Sequence, residues 1–314
     1  MHFIAKLSMI LLYSYCVMNG NDYRIIEQEN MHEVQSVASI SKVMSAYIAI
    51  EEGNLSDVWK VGDEIHQAYG SMIYLKEGQE VSLKSLLYGL MLRSGNDAAI
   101  AIATHISGSE EAFVEKMNQK AKEIGMTHTT FRNASGLDEE DGGNESCAYD
   151  MALLMSKAMQ NETFATIAGT KYYKTEWGSV WKNKNRLLFE DSLVIAGKTG
   201  YTKKAGRTLV TSSSHQGILT NVVTLQCSDD FAFHHQKHHD AYQNTKIQTL
   251  LKKGTYRINQ RNYQLKEDIE ISYDKNKEFD YQIYSYIKDD WIIEVVSKEH
   301  RNIYRIPSMG DTHE

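Results

Sequence analysis

The sequence predicts an α/β (α+β) fold, in which a sheet flanked by helices carries an all-helical insert and is followed by a small β-rich C-terminal appendage. Three observations predict it. Residues 43–52 and the stretch 83–159 read as essentially helical, and strand-like runs lie on both sides of them. After Lys252 the composition changes to short aromatic and β-branched segments separated by charged turns. A chain of 314 residues can bury a sizeable core and suits one large domain plus a small one.

In chain order, Lys6 precedes an apolar run at residues 7–12 that reads as a short secretory signal or uncleaved anchor. It is too short to span a bilayer as a helix, and no small-x-small cleavage site follows. Residues 15–18 read as a first strand, paired through the Asn19-Gly20 turn with residues 23–28. Both readings hold if the signal ends near Tyr13 or Ser14. The expected division is therefore 1–14 signal or anchor, 15–252 main domain and 253–314 small C-terminal region.

Within the main domain, Val43, Tyr47, Ile48 and Ile50 mark a buried helix ending near Gly53. Residues 83–92 and 97–106 read as apolar helices interrupted at Gly95, residues 109–124 as an amphipathic helix, and residues 146–159 as a helix capped by Ser146. Residues 207–212 and 218–226 are expected strands about His215-Gln216-Gly217, and residues 238–252 an expected helix. Strands are expected again at 281–287, 291–296 and 303–306.

Three strings carry the chemistry: Ser39-Ile40-Ser41-Lys42, Ser94-Gly95-Asn96 and Lys198-Thr199-Gly200. Ser-x-x-Lys recurs at Ser179, Ser272 and Ser285, so the first string alone is close to background. Only the first copy precedes a helix, where residues three apart share a face. Ser285 falls in a strand-like stretch, where such residues point to opposite faces. A serine hydroxyl needs a neighbouring base to attack. Lys42 can serve if burial and a second cation, expected to be Lys198, lower its pKa. Ser94 can relay a proton, and Asn96 has a donor and an acceptor for a substrate amide. The Lys-Thr-Gly segment suits a strand edge along which an extended peptide lies.

The net charge of −7 argues against a nucleic-acid partner. Cys16, Cys147 and Cys227 form neither a CxxC nor a metal-ligand spacing, so thiols are expected. His234, His235, His238 and His239 offer i,i+4 pairs for a metal, but a solvated helix start is the favoured reading, and no metal is assigned.

The chain resembles the low-molecular-mass penicillin-binding D-alanyl-D-alanine carboxypeptidases over about residues 15–252. Residues 38–46 are similar to the family's nucleophile helix, with Ser41 and Ser45 where threonines are usual, and residues 92–99 are similarly close. Gly125-Met126-Thr127 and residues 131–138 resemble a stretch specific to the family, Ala134 replacing its usual proline. Asn185-Arg186-Leu187-Leu188 and residues 197–202 complete the match.

The resemblance implies a β-lactamase/transpeptidase-like sheet and a carboxypeptidase mechanism. Ser39 would attack the carbonyl between two terminal D-alanines of a peptidoglycan stem peptide, and the acyl-enzyme would be hydrolysed by water. Ser39, Lys42, Ser94, Asn96 and Lys198 are the implied catalytic set, with Thr199, Gly200, Tyr201 and Thr202 along the substrate. The backbone N–H groups of Ser39 and Tyr201 would hold the oxyanion. No cofactor is implied, β-lactams are the implied inhibitors, and the location is the cell-wall side of the bacterial membrane. Two departures stand out. The family often carries an arginine after the Lys-Thr-Gly hairpin for the terminal carboxylate, whereas residues 228–236 offer Asp229, Asp230, His234 and His235. Thr199, Thr202 and Lys198 are the expected substitutes. The tail after Lys252 is also shorter than the family's β-domain plus anchor helix, which leaves membrane attachment from the C-terminus unsupported. Rival readings are a serine β-lactamase, whose Glu-x-x-Leu-Asn loop is not found, and a catalytically idle wall-binding protein.

Overall fold

The structure, a computed structural model, describes residues 13–138, 142–276, 281–296 and 301–309. Residues 1–12, which hold most of the expected signal or anchor, lie outside the described residues. The central layer is a five-stranded antiparallel sheet. Its strands are β1 (Ser14–Asn19), β2 (Ile25–Glu29), β3 (Val194–Thr202), β4 (Gly206–His215) and β5 (Ile218–Leu225), in spatial order β2-β1-β5-β4-β3. All six residues of β1 are buried, because β1 lies inside the sheet with Val17 opposite Val222 of β5. Alternate residues of β1 point to opposite faces. Cys16 and Met18 join the main apolar core, whereas Tyr15 and Val17 pack with Val222 and Ala241 on the other side.

Helices cover both faces. On the main-core side lies α5 (Ala148–Met159), against β1 and β5, and the opposite face is covered by α8 (Asp230–Asn244), against β4 and β5. The chain between β2 and β3 adds α1 (Lys42–Glu52), α2 (Leu83–Tyr88), α3 (Asn96–Ser107), α4 (Glu110–Ile124), α6 (Glu162–Gly169) and the single turn α7 (Leu187–Glu190). Ser109 Oγ accepts the Ala112 N–H at the start of α4, and Gly125 ends it in the left-handed region at φ +88°. The Ser109 hydroxyl thereby satisfies one of the orphan donors of the first turn.

Several expectations need correction. The insert is not all helical: Val58–Lys60 pairs with Glu80–Ser82, and Tyr172–Lys174 with Val180–Lys182. These three-residue runs are too short to show a period. The cap of α5 is Cys147, while the Ser146 hydroxyl is engaged by Thr129. The expected helix at 238–252 is instead the end of α8 followed by a strand, Thr245–Leu251, paired with Ile269–Asp274. Thr245, Ile247 and Thr249 alternate there, and cross-strand pairing overrides the helical propensity of Lys246 and Gln248 between them. Two further strands, Gly254–Ile258 and Arg261–Leu265, also went unread, whereas Gln282–Ile287, Trp291–Val296 and Arg301–Ile306 coincide with expectation. This region has its own apolar cluster around Tyr263, Ile271, Trp291 and Ile293. Buried Asp22 fastens it to the sheet domain, accepting the Ser272 N–H at 2.6 Å and hydroxyl at 2.7 Å.

Candidate active site

Ser39 lies in a tight 3-10 turn, Ala38–Ser41, that runs directly into α1, so Lys42 is the first α-helical residue. The turn is clamped from one side by Gly136, whose φ of +76° and closeness to Ala38 both require glycine; a Cβ there would meet the Ala38 carbonyl oxygen at 2.1 Å. Lys42 is fully buried. Its Nζ donates to Ser39 Oγ at 3.0 Å, to Asn96 Oδ1 at 2.7 Å and to the Ser135 carbonyl, so all three ammonium protons have acceptors. Burial pushes the Lys42 pKa down to about 7, with help from the Lys184 charge and against Asp97 and Glu110.

The second string sits where the helical run breaks. Gly89–Arg93 forms a widened turn, and Ser94 follows in the left-handed region at φ +63° before α3 starts at Asn96. That conformation is uncommon for a non-glycine residue and is enriched at functional sites. Ser94 Oγ accepts from Lys198 Nζ at 3.0 Å, and Lys198 also donates to the Thr199 carbonyl at 2.6 Å. The Asn96 amide is oriented by two partners, its oxygen facing Lys42 and its nitrogen donating to the Tyr69 carbonyl at 2.5 Å. Burial also pushes the Lys198 pKa well down, with Lys42 and Lys184 adding repulsion. Lys184 is a further cation that acts on Lys42.

β3 carries the third string along the cleft. A Cβ at Gly200 would lie 2.3 Å from Thr208 Oγ1 and 3.0 Å from the Ser39 backbone nitrogen, so glycine is what lets this strand approach the nucleophile turn. The cleft is lined by Ser39, Ser94, Thr199, Gly200 and Tyr201 from the expected set, joined by Ser71, Lys184, Arg207, Asp230 and Phe231. Lys42, Asn96 and Lys198 lie buried beneath it. Thr202 is not among the lining residues; its hydroxyl accepts the Ala205 N–H at 2.9 Å and so shapes the β3–β4 turn.

Arg207, Lys184 and the Ser135 carbonyl escaped the sequence reading. Arg207 stands directly across from Tyr201 in the β3–β4 ladder, so writing out the hairpin register would have found it. Its guanidinium holds Asp230 Oδ1 at 2.6 Å. The Ser135 carbonyl is set by side chains of its own loop: Asn133 Oδ1 accepts the Gly136 N–H at 2.6 Å, and Asn144 Nδ2 donates to the Asn133 carbonyl and to Ser41 Oγ. Two of the other Ser-x-x-Lys serines serve structure, Ser272 on Asp22 and Ser285 accepting from Trp291 Nε1. The favoured solvated reading of the four histidines also needs correction. His234 and His238 are fully buried against the sheet, and each ring uses both nitrogens on Thr211, Ser213 or Thr224.

A serine, two buried lysines and an amide converging on a strand edge define a penicillin-type active-site serine architecture. The chain belongs to the D-alanyl-D-alanine carboxypeptidase family, which it matches over residues 4–229. It is 35% identical over 254 residues to the D-alanyl-D-alanine carboxypeptidase DacF of Bacillus subtilis, covering 74% of this chain and 65% of that one. A D-alanyl-D-alanine carboxypeptidase structure from Mycobacterium tuberculosis superposes with a TM-score of 0.65 at 30% identity, over 68% of this chain and 81% of that chain. Penicillin binding protein 5 from Haemophilus influenzae shares the fold over 95% of this chain and 96% of its own, with a TM-score of 0.78 at 22% identity. The chain spans about half to two thirds of the length of the curated relatives it matches. Among the described residues no helix is long and apolar enough to cross a membrane.

Proposed function

We propose that this chain is a serine-type D-alanyl-D-alanine carboxypeptidase that trims peptidoglycan stem peptides ending in D-Ala-D-Ala on the cell-wall side of the bacterial membrane. The observation that carries this reading is the buried Lys42 amine 3.0 Å from Ser39 Oγ, with its pKa brought to about 7. A neutral amine keeps two N–H bonds, to Asn96 and Ser135, and turns its lone pair to the serine hydroxyl. Ser39 Oγ then bonds to the penultimate carbonyl carbon while its proton passes to Lys42 Nζ. As the peptide C–N bond breaks, Ser94, held by Lys198, passes its hydroxyl proton to the leaving amine and is reprotonated by the Lys42 ammonium, and D-alanine departs. Water hydrolyses the remaining ester. The backbone N–H groups of Ser39 and Tyr201 are the oxyanion donors in this scheme, each worth about 2.7–4 kcal/mol in such a role.

Arg207 takes the terminal carboxylate, with Thr199 beside it. It lines the cleft, faces Tyr201 across the hairpin and is oriented by the buried Asp230. β-Lactams would acylate Ser39 and leave slowly. Among the described residues the acidic side chain lining the cleft, Asp230, is tied to Arg207, which disfavours the β-lactamase reading, and the complete Ser39–Lys42–Asn96 wiring disfavours an idle wall-binding protein. We assign the chemistry to the part of the chain before Lys252, leaving the C-terminal sheets a role in placement. The test is to incubate the protein with a D-Ala-D-Ala peptide and with fluorescent penicillin. D-Alanine release together with a label on Ser39 that persists for minutes supports the proposal. Rapid β-lactam turnover, a label on another serine, or labelling without D-alanine release would each replace it.

A further inference from the structure

The His-His-x-x-His-His run on α8 divides into two pairs of different chemistry. His234 and His238 turn inward and have both ring nitrogens occupied by threonine and serine hydroxyls. One residue on, His235 and His239 are also i,i+4 neighbours on one face, their ring centroids 4.5 Å apart. They converge on a single carboxylate oxygen of Asp191, which lies 2.7 Å from His235 Nδ1 and 3.3 Å from His239 Nε2. The three ligand atoms all lie within 4.8 Å of one another.

Two features distinguish this cluster from a simple ion pair. Asp191 is itself buried, with its other carboxylate oxygen fixed by the Leu193 N–H at 2.9 Å. His239 Nε2 is shielded from solvent yet makes no hydrogen bond, despite its closeness to that carboxylate. A tetrahedral zinc ion with ligand bonds of about 2.0–2.1 Å places neighbouring ligand atoms about 3.3 Å apart. The two contacts to Asp191, at 2.7 and 3.3 Å, lie at or just inside that spacing. The other cluster of ligand types, His32, His128 and Cys147, is less suited, because burial pushes the Cys147 thiol up to about 12 and a thiolate is what a metal needs.

We propose that Asp191, His235 and His239 form a binding site for a borderline divalent transition-metal ion, Zn²⁺ in the first instance, with water completing the tetrahedron. The ring proton displaced from His235 Nδ1 moves to the other nitrogen of that ring or to solvent. Because Asp191 lies three residues before β3 and the histidines lie on α8, the bound ion ties the helix to the segment leading into the cleft strand.

The experiment is Zn²⁺ titration of the full chain by calorimetry, with thermal melts and Co²⁺ absorption in parallel. One equivalent should bind, the melting temperature should rise with Zn²⁺ but not with Mg²⁺, and Co²⁺ should show a tetrahedral visible spectrum. H239A and D191N should each weaken binding by more than the roughly 10–100-fold that loss of an outer-shell partner costs. H32A should leave it unchanged. Circular dichroism and fluorescent-penicillin labelling identify variants that have kept the fold, and H239A, which removes an unbonded ring, is the variant least exposed to misfolding. Absence of Zn²⁺ binding by the intact chain overturns the proposal. So does equal affinity in folded H239A and D191N, or loss of the site in H32A.

Discussion

Lys42 and Tyr263 are both fully buried, one under the cleft and one in the C-terminal sheets, and their surroundings differ in kind. Lys42 has an acceptor for each of its three protons, supplied by the 3-10 turn before α1, by α3 and by the loop around Ser135. Tyr263 packs edge-on to Trp291 among Leu265, Ile269 and Ile271, and its hydroxyl has no hydrogen-bond partner. In the cleft, apolar packing is interrupted so that polar groups can be wired together. In the C-terminal sheets the apolar cluster dominates, and a polar atom is left over. The first region is specified by hydrogen bonds and charge, the second by area removed from water.

The sharpest break of that comparison is Lys42→Ala. It should lower the rate of penicillin acylation by about 10²–10⁴-fold, the range for loss of a positioned base, while non-covalent ligand binding survives. Stopped-flow acylation over a concentration series separates the two. Near wild-type acylation would remove Lys42 from the mechanism.

Trp291→Ala tests the other side. Truncating this buried ring should destabilise the C-terminal sheets by about 3–5 kcal/mol while leaving Ser39 labelling intact in the folded protein. Denaturant unfolding followed beside penicillin labelling reads both. A loss of labelling that tracks the loss of C-terminal structure would show that the two regions are one cooperative unit.

The pH profile sharpens the electrostatic half. Lys42 has its pKa lowered from the ordinary lysine value to about 7, so the neutral amine accumulates as pH rises through that value, and acylation should rise with it. Lys184→Ala removes a positive charge that disfavours the ammonium form of Lys42. The Lys42 pKa should then rise, less free amine should be present at pH 7, and the midpoint of the profile should move to higher pH. An unmoved midpoint would mean that burial alone sets the lysine.

The smallest effect is expected from Tyr263→Phe. Removing a buried hydroxyl with no partner should leave stability unchanged or raise it by about 1 kcal/mol, measured by thermal or urea unfolding. A clear loss would reveal a hydrogen bond made through water.

Local spacing by itself determined the pairing of Ser39 with Lys42, because three residues on a helix start span about one turn, and it determined the strings that bring Ser94, Asn96 and Lys198 to the same cleft. It also marked the inner strands at 207–212 and 218–226, where β-branched residues cluster on either side of the His215-Gln216-Gly217 turn. Only the tertiary structure decided that Arg207 faces Tyr201, that Lys184 acts on Lys42, and that the Ser135 carbonyl closes the lysine's third bond. These depend on strand register and on loops folded over long sequence separations, and no local pattern encodes either. The histidines of α8 show the same division: their i,i+4 spacing is visible in the chain, but which pair meets the sheet and which meets Asp191 follows from how the helix is rotated as it packs.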